Sequence, residues 1–265
     1  MILPSDSLAS VALGIAAALT YAVAAISSKG AARVARGALM AAWLAHGAML
    51  VLTLFIEPPR FGFAPALSMT GWLALTIYGV ESRMFPQLHA QRILSGLGAV
   101  VVLLALLFPG ALLQADSPWL AVHLALGITS YGLFAAAVIH AWLMRRAETR
   151  MREAGVPDGG IPLLTLERLT FQFVLAGFVL LTATLLFGWL FGETLYGPGR
   201  AWRWDHKTVF SLLAWITFAL LLLGRWRFGW RGRRAVRVLY TGSGLLLLGY
   251  AGSRFVLEVV LRRMA

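Results

Sequence analysis

The sequence predicts an all-α fold: a polytopic integral membrane protein with about eight transmembrane helices and both termini outside. Of its 265 residues, 60% are hydrophobic and only 13% are charged, and the mean hydropathy is +0.79. Soluble domains carry about a quarter charged residues and less than half apolar ones, so this excess indicates a membrane protein. Apolar runs of roughly 18 or more residues, long enough to cross a bilayer, support the same conclusion.

The apolar runs define the candidate helices in chain order. The third run is short for a span, and its flanking residues are expected to extend it, while the seventh is near the lower limit of about 17 residues. The sequence also predicts two parts, a four-helix part over residues 1–114 and a second four-helix part over residues 115–265. The eight runs cover residues 8–28, 37–56, 65–80, 93–114, 119–144, 170–191, 208–224 and 238–261.

The placement of the basic residues predicts the orientation. Of the 23 Lys and Arg residues, 16 fall in the odd-numbered connections between these runs. Because basic residues concentrate in cytoplasmic loops, the first loop is expected to be cytoplasmic and both termini outside. The net charge of +12 is therefore interpreted as topology-setting charge and not as a nucleic-acid surface. No basic residue precedes the first run, so we expect an uncleaved first helix.

Missing residue types and motifs exclude several classes of function. The chain has no cysteine, which excludes disulfides, thiolate metal sites and covalent attachment of haem to this chain. It also has no HExxH motif, no phosphate-cradling glycine loop and no nucleophile–base arrangement, so hydrolase or kinase chemistry has no support. An ion or metabolite transporter stays open as a third interpretation, although the paired broken helices that are typical of transporters are not evident in the pattern.

A polar, aromatic segment before the seventh run contains the largest group of side chains that could bind a cofactor. Indole rings at a membrane–water boundary are common interfacial anchors. Two indoles with an imidazole are also what a flat, metal-bearing ring such as haem needs, and both interpretations stay open at this point. Asp205 can cap the seventh helix, which places His206 in its first turn. The segment consists of Trp202, Arg203, Trp204, Asp205, His206 and Lys207.

His123 lies near the same predicted membrane face. Ser117 can cap the fifth helix with Pro118 at its first position, so His123 is expected about 9 Å inside the helix end. Together with Trp119, His123 and His206 predict a metalloporphyrin site at the outer face. The two imidazoles differ in nominal depth by several ångströms and need not bind the same iron.

The other histidines and charges have simpler interpretations. His46, in the middle of the second helix, fits an inter-helix hydrogen bond as well as a cofactor role. His140 suits the dipole at a helix C-terminus, and His89 suits a solvated loop. The negative charge of Glu167 is expected to interact favourably with the positive N-terminal end of the sixth helix. The basic stretch 225–237 is of the kind that contacts anionic phospholipid head groups.

Several stretches of the chain resemble the cytochrome c assembly (CcsA/CcmC/HemX) family. The segment 202–207, followed by Trp215, is similar to the family's Trp-x-Trp-Asp-Pro-Lys-Glu-Thr signature and the helix after it. Residues 117–123 resemble the family's haem-histidine helix, and residues 229–233 resemble its Gly-Trp-Arg-Gly turn. The likeness is clearest over residues 115–255, and it favours the branch of small inner-membrane proteins of the YpjD/HemX type.

The resemblance implies haem bound at an outer, tryptophan-containing surface. By this analogy His123 is an outer haem ligand, the indoles stack on the porphyrin, and Arg203 and Lys207 pair with its propionates. The chain departs from the family pattern in three respects. Its tryptophan loop is short, His206 and Thr208 replace the Pro and Glu of the signature, and the family's second outer histidine has no counterpart after Lys207. We therefore expect haem binding without attachment chemistry.

The expected function is non-covalent haem handling by a multi-pass protein of the bacterial inner membrane, in cytochrome c assembly or haem homeostasis. Haem is the expected cofactor, and no catalytic residue is predicted. The expected partners are membrane lipid and an apocytochrome or another membrane protein, with no nucleic acid. The alternative is an accessory or regulatory subunit that kept the fold without haem and acts on a transporter or a biosynthetic enzyme.

Overall fold

A computed structural model describes residues 8–27, 31–85, 90–112, 118–154, 162–192 and 205–260 of the chain. Helices make up nearly all of these residues. A wide π-helical turn, Leu52–Ile56, continues α2, and further helical turns continue α8 through Val260. The helices are α1 (Leu8–Ile26), α2 (Ala32–Val51), α3 (Phe63–Met84), α4 (Gln91–Leu107), α5 (Pro118–Ala154), α6 (Leu163–Leu190), α7 (His206–Phe228) and α8 (Gly232–Leu247).

The predicted all-α membrane fold is confirmed. In the described part of the chain, six helices are long and apolar enough to cross a bilayer: α1, α2 with its π-helical turn, α3, α5, α6 and α7. Helix α4 is also apolar, with 17 residues. The count of eight spans and the placement of both termini outside stay predictions.

Several helices are longer than their apolar runs. The expectation that flanking residues extend the third helix is confirmed, because α3 has 22 residues. Helix α5 has 37 residues, which at 1.5 Å per residue corresponds to about 55 Å. A bilayer core is about 30 Å thick, so the arginine-containing last turns of α5 extend beyond the apolar layer.

Two compact units divide the described residues. Met1–Gln114 and Arg254–Ala265 form the first unit, and Ala115–Ser253 forms the second. The predicted second part ran to residue 265, whereas Arg254–Ala265 belongs to the first unit. The division of the chain into two four-helix parts stays a prediction.

Polar contacts between helices hold the first unit together around His46, which is fully buried. Its Nδ1 lies 3.3 Å from the Tyr21 hydroxyl of α1. Its Nε2 lies 2.8 Å from the Ser68 hydroxyl of α3. An ionisable side chain at membrane depth needs such partners. Since both ring nitrogens are engaged, the inter-helix hydrogen bond is the interpretation that the structure supports for His46.

In the first unit, a pair of short strands joins the segment after α2 to the segment after α4. β1 (Arg60–Phe61) pairs antiparallel with β2 (Ala111–Leu112). Gly110 has a φ of +82°, and a Cβ there would lie 2.7 Å from the carbonyl carbon of Phe61, so only glycine fits this close approach. The fourth helix was predicted to reach residue 114, but it ends at Leu107 because Pro109 and this strand pair follow it.

Aromatic rings packed against glycines form the core of the second unit. Phe134 of α5 stacks on Phe218 of α7 with a centroid distance of 3.9 Å. A Cβ on Gly177 of α6 would lie 3.1 Å from the Phe134 ring, and a Cβ on Gly242 of α8 would lie 2.8 Å from the Phe218 ring. Small residues permit this close approach between helices in lipid. These contacts fix the positions of α5 to α8 relative to one another.

Candidate functional site

Four rings meet where α5 begins and α6 ends, and we call Trp119, His123, Phe187 and Phe191 the aromatic cluster. Trp119 and His123 are four residues apart and therefore share a face of α5, and the two phenylalanines are spaced in the same way. The Trp119 indole stacks on Phe191 with a centroid distance of 5.7 Å and an interplanar angle of 12°. It also lies 5.9 Å from Phe187. These separations are favourable for aromatic pairs.

His123 is the buried member of the aromatic cluster, with 8% of its surface exposed, whereas Trp119 is 47% exposed. The His123 ring lies 6.4 Å from the Phe187 ring. Its Cε1 lies 3.3 Å from the position that a Cβ on Gly188 would occupy. Gly188 therefore makes room for the imidazole between α5 and α6. An imidazole held among apolar rings is a donor of the kind that haem iron takes as an axial ligand.

The first turn of α7 lies at the same end of the second unit. The Trp215 Nε1 of α7 donates a 2.8 Å hydrogen bond to the Thr182 hydroxyl of α6. Thr182 and Trp215 lie at similar distances from the end of α6 and the start of α7, so these two helix ends are neighbours. Lys207 belongs to this first turn of α7.

Asp205 caps α7, as predicted from the sequence. Its Oδ1 accepts a 2.8 Å hydrogen bond from the Thr208 backbone N–H. His206 is then the first helical residue and is exposed to the surroundings. The Lys207 ammonium lies 5.6 Å from the centroid of the Tyr250 ring. The first turn of α7 thus carries an imidazole and an ammonium at the same end of the second unit as the aromatic cluster.

The structure brings part of the predicted site together. His123, Trp119 and Lys207 lie at one end of the second unit, with His206 in the same helical turn as Lys207. The predicted residues Trp202, Arg203 and Trp204 lie outside the described residues. Across the described ranges, no group of three or more His, Asp and Glu side chains is arranged to hold a metal ion. A haem iron takes one or two axial side-chain ligands, and His123 and His206 are the imidazole donors at this end.

The structure gives His140 a role within its own helix. Its Nδ1 donates to the Ala136 carbonyl oxygen at 2.8 Å, and its ring lies 5.2 Å from that of Phe173. The predicted position at a helix C-terminus is wrong, because α5 continues to Ala154. His89 lies outside the described residues.

A second polar centre, which the sequence analysis missed, lies at the other end of α6 and α7. Arg225 of α7 donates to the carboxylate of Glu167, which is buried. The Nε of Arg231 lies 3.7 Å from the same carboxylate oxygen. The expectation that Glu167 serves the helix dipole is wrong: α6 begins at Leu163, so Glu167 lies beyond the first turn and is bound by another helix.

The turn between α7 and α8 presents these arginines in a fixed geometry. Gly229 ends α7 in the left-handed region, with a φ of +62°. The Trp230 N–H then donates to the Gly224 carbonyl at 3.1 Å. The Trp230 ring occupies the space beside Gly224, where a Cβ would lie 2.4 Å from it. The Gly-Trp-Arg-Gly motif was the sequence signal for this turn.

Comparison with known proteins identifies the family. The family model described as "Cytochrome C assembly protein" matches residues 7–261. The chain belongs to this family. The resemblance drawn from the motifs is therefore confirmed, and the match covers the first unit as well as the second.

Individual relatives match shorter stretches. The inner membrane protein YpjD of Escherichia coli strain K12 is 31% identical over 146 residues, 54% of each chain. An uncharacterised 28.8 kDa protein in the nifR3-like 5' region of Azospirillum brasilense is 31% identical over 158 residues, 58% of each chain. The cytochrome c biogenesis protein CcsA of Synechococcus sp. strain JA-2-3B'a(2-13) is 32% identical over 77 residues, 29% of this chain and 21% of its own.

The chain spans about half the length of the first two of these relatives. No solved structure matches it significantly.

Proposed function

We propose that this protein binds haem non-covalently at the end of its second unit that holds the aromatic cluster, and that it serves cytochrome c biogenesis in the bacterial inner membrane. The observation that carries the proposal is the position of His123, buried among aromatic rings at the same end of the second unit as the first turn of α7. Family membership and the names of YpjD and CcsA support the role and the location.

Each residue has a distinct part in this proposal. Bound haem supplies an iron that takes imidazole ligands and two propionates that take cations. His123 is the axial ligand, and His206 is the candidate for a second one. Trp119 covers one face of the ring with its half-exposed indole, and Lys207 pairs with a propionate. Residues 202–204 add two further indoles and one guanidinium from the segment before α7.

The proposed partners follow from the chemistry of the site. Haem that is held without a covalent bond can be released, so an apocytochrome or another membrane protein is the proposed recipient. The membrane lipid surrounds the apolar helix faces.

A haem titration tests the proposal. The full chain, purified in mild detergent, is titrated with haemin while the visible spectrum is recorded, and a saturable Soret band is expected. His123→Ala is expected to lower the affinity at least tenfold, because the axial nitrogen is lost. His140→Ala is the matched control, since it removes a buried histidine of the same helix whose Nδ1 donates to the Ala136 carbonyl oxygen and which has no part in the proposed haem site. This control is expected to titrate like the wild type.

The outcomes separate the two functions. Failure of the wild type to develop a saturable Soret band would overturn haem binding and favour the accessory-subunit alternative. An unchanged titration for His123→Ala would overturn the site. His206→Ala reports on the second ligand, because loss of a six-coordinate, low-spin spectrum in that variant supports ligation by His206.

A further inference from the structure

The connection between α7 and α8 is rich in arginine, and we call residues 225–237 the arginine turn. Three of its six arginines are held by contacts within the protein. Arg225 donates to the buried Glu167 carboxylate. Arg231 lies 3.7 Å from the same carboxylate. The guanidinium of Arg234 lies 4.1 Å from the centroid of the Trp230 ring. These contacts hold the backbone of the turn in one conformation.

The other three arginines, Arg227, Arg233 and Arg237, are exposed. Within the part of the chain that the structure describes, they form no ion pair. Arg233 and Arg237 are four residues apart and share a face of α8, where like charges repel each other. An external anion would relieve this repulsion, because the nearby Glu167 carboxylate is buried and already shared by Arg225 and Arg231.

Exposed aromatic rings alternate with the arginines in the last turn of α7. Trp226 is 82% exposed and Phe228 is 71% exposed. Aromatic side chains at the end of a membrane-spanning helix lie at the depth of the lipid head groups. A small soluble anion cannot cover these rings. A phospholipid offers an apolar region to the rings and a phosphate to the guanidinium groups in the same molecule.

We propose that the arginine turn binds anionic phospholipid. Lipid phosphates contact Arg227, Arg233 and Arg237 through charge-assisted hydrogen bonds, while Trp226 and Phe228 lie at the boundary between head groups and acyl chains. The Glu167–Arg225 contact acts indirectly, by positioning the turn. The surface lies at the end of α7 opposite to the proposed haem site and does not depend on haem binding.

Lipid titration of the purified full chain tests the proposal. In a neutral detergent, short-chain phosphatidylglycerol is expected to bind saturably and to bind more weakly as the salt concentration rises. Short-chain phosphatidylcholine and inorganic phosphate serve as comparison probes and are expected to bind far more weakly. Each basic residue beside an anionic lipid surface raises the affinity about fivefold. The double variant Arg233→Gln with Arg237→Gln is therefore expected to bind phosphatidylglycerol about 25-fold more weakly.

A matched control removes the same charge elsewhere. Arg33 and Arg36 are exposed near the start of α2, in the first unit. Replacing both with Gln is expected to change the phosphatidylglycerol affinity less than twofold. Arg227→Gln is a second variant in the arginine turn and is expected to weaken binding about fivefold. Circular dichroism without lipid verifies that each variant is folded.

Each outcome decides one part of the proposal. Equal binding of phosphatidylcholine would overturn recognition of charge. Binding of inorganic phosphate as tight as that of phosphatidylglycerol would make free phosphate the ligand and overturn the lipid. Wild-type affinity in both arginine-turn variants would place the lipid elsewhere and overturn the site.

Discussion

Replacing Glu167 with Gln tests whether this carboxylate is a buried ion-pair partner or merely complements a helix dipole. The side chains of Glu167 and Arg225 are 12% and 28% exposed, so the pair lies between the surface and the interior. Exposed ion pairs contribute about 0–1 kcal/mol, and breaking a fully buried one costs about 3–5 kcal/mol. Gln keeps an acceptor oxygen for Arg225 but not the charge, so we expect a loss of about 2 kcal/mol in the free energy of unfolding.

The assay is unfolding by sodium dodecyl sulfate from a mild detergent, followed by far-ultraviolet circular dichroism. A double-mutant cycle with Arg225→Gln is expected to give a coupling energy above about 1 kcal/mol. The control is Glu148→Gln, which breaks the more exposed Arg145–Glu148 pair of α5 and is expected to cost less than about 0.5 kcal/mol. A dipole effect would instead be about 0.3–1 kcal/mol and independent of Arg225. Coupling near zero would therefore refute the ion-pair argument.

Two further substitutions test the packing of the units in the same assay. Gly177→Leu is expected to cost about 1–3 kcal/mol, because a Cβ there already lies 3.1 Å from the Phe134 ring; Gly244→Leu, with nothing within 4 Å of its Cβ, is the control and should cost clearly less. His46→Phe is expected to cost about 2 kcal/mol, because it leaves two buried hydroxyls without their partner, while Tyr21→Phe, which removes one bond, should cost about 0.6 kcal/mol. Wild-type stability of either test variant would contradict the corresponding packing argument.

Hydropathy predicted the helices well but not where they end. It placed the fifth helix at 119–144, whereas α5 covers Pro118–Ala154. The apolar run measures the length in contact with lipid, and a helix continues past it when polar side chains support the turns. In α5 the contact between Arg145 and Glu148 gives such support beyond the apolar run. The sixth helix, predicted at 170–191, begins earlier for a similar reason, since its first turns contain Glu167 bound by another helix.

The candidate site shows what one sequence can and cannot specify. The spacing of Trp119 and His123 places both on one helix face, which follows from the helical repeat alone. Which surface meets that face depends on Gly188, a residue 65 positions later that carries no side chain to give a periodic signal. The same limit applies to Glu167, because the local sequence around a carboxylate near the start of a helix is the same whether the side chain faces water or another helix. Only the contact with Arg225, which lies 58 positions later in the chain, distinguishes these cases. Contacts between distant helices, and not the local pattern, therefore decide the roles of both residues.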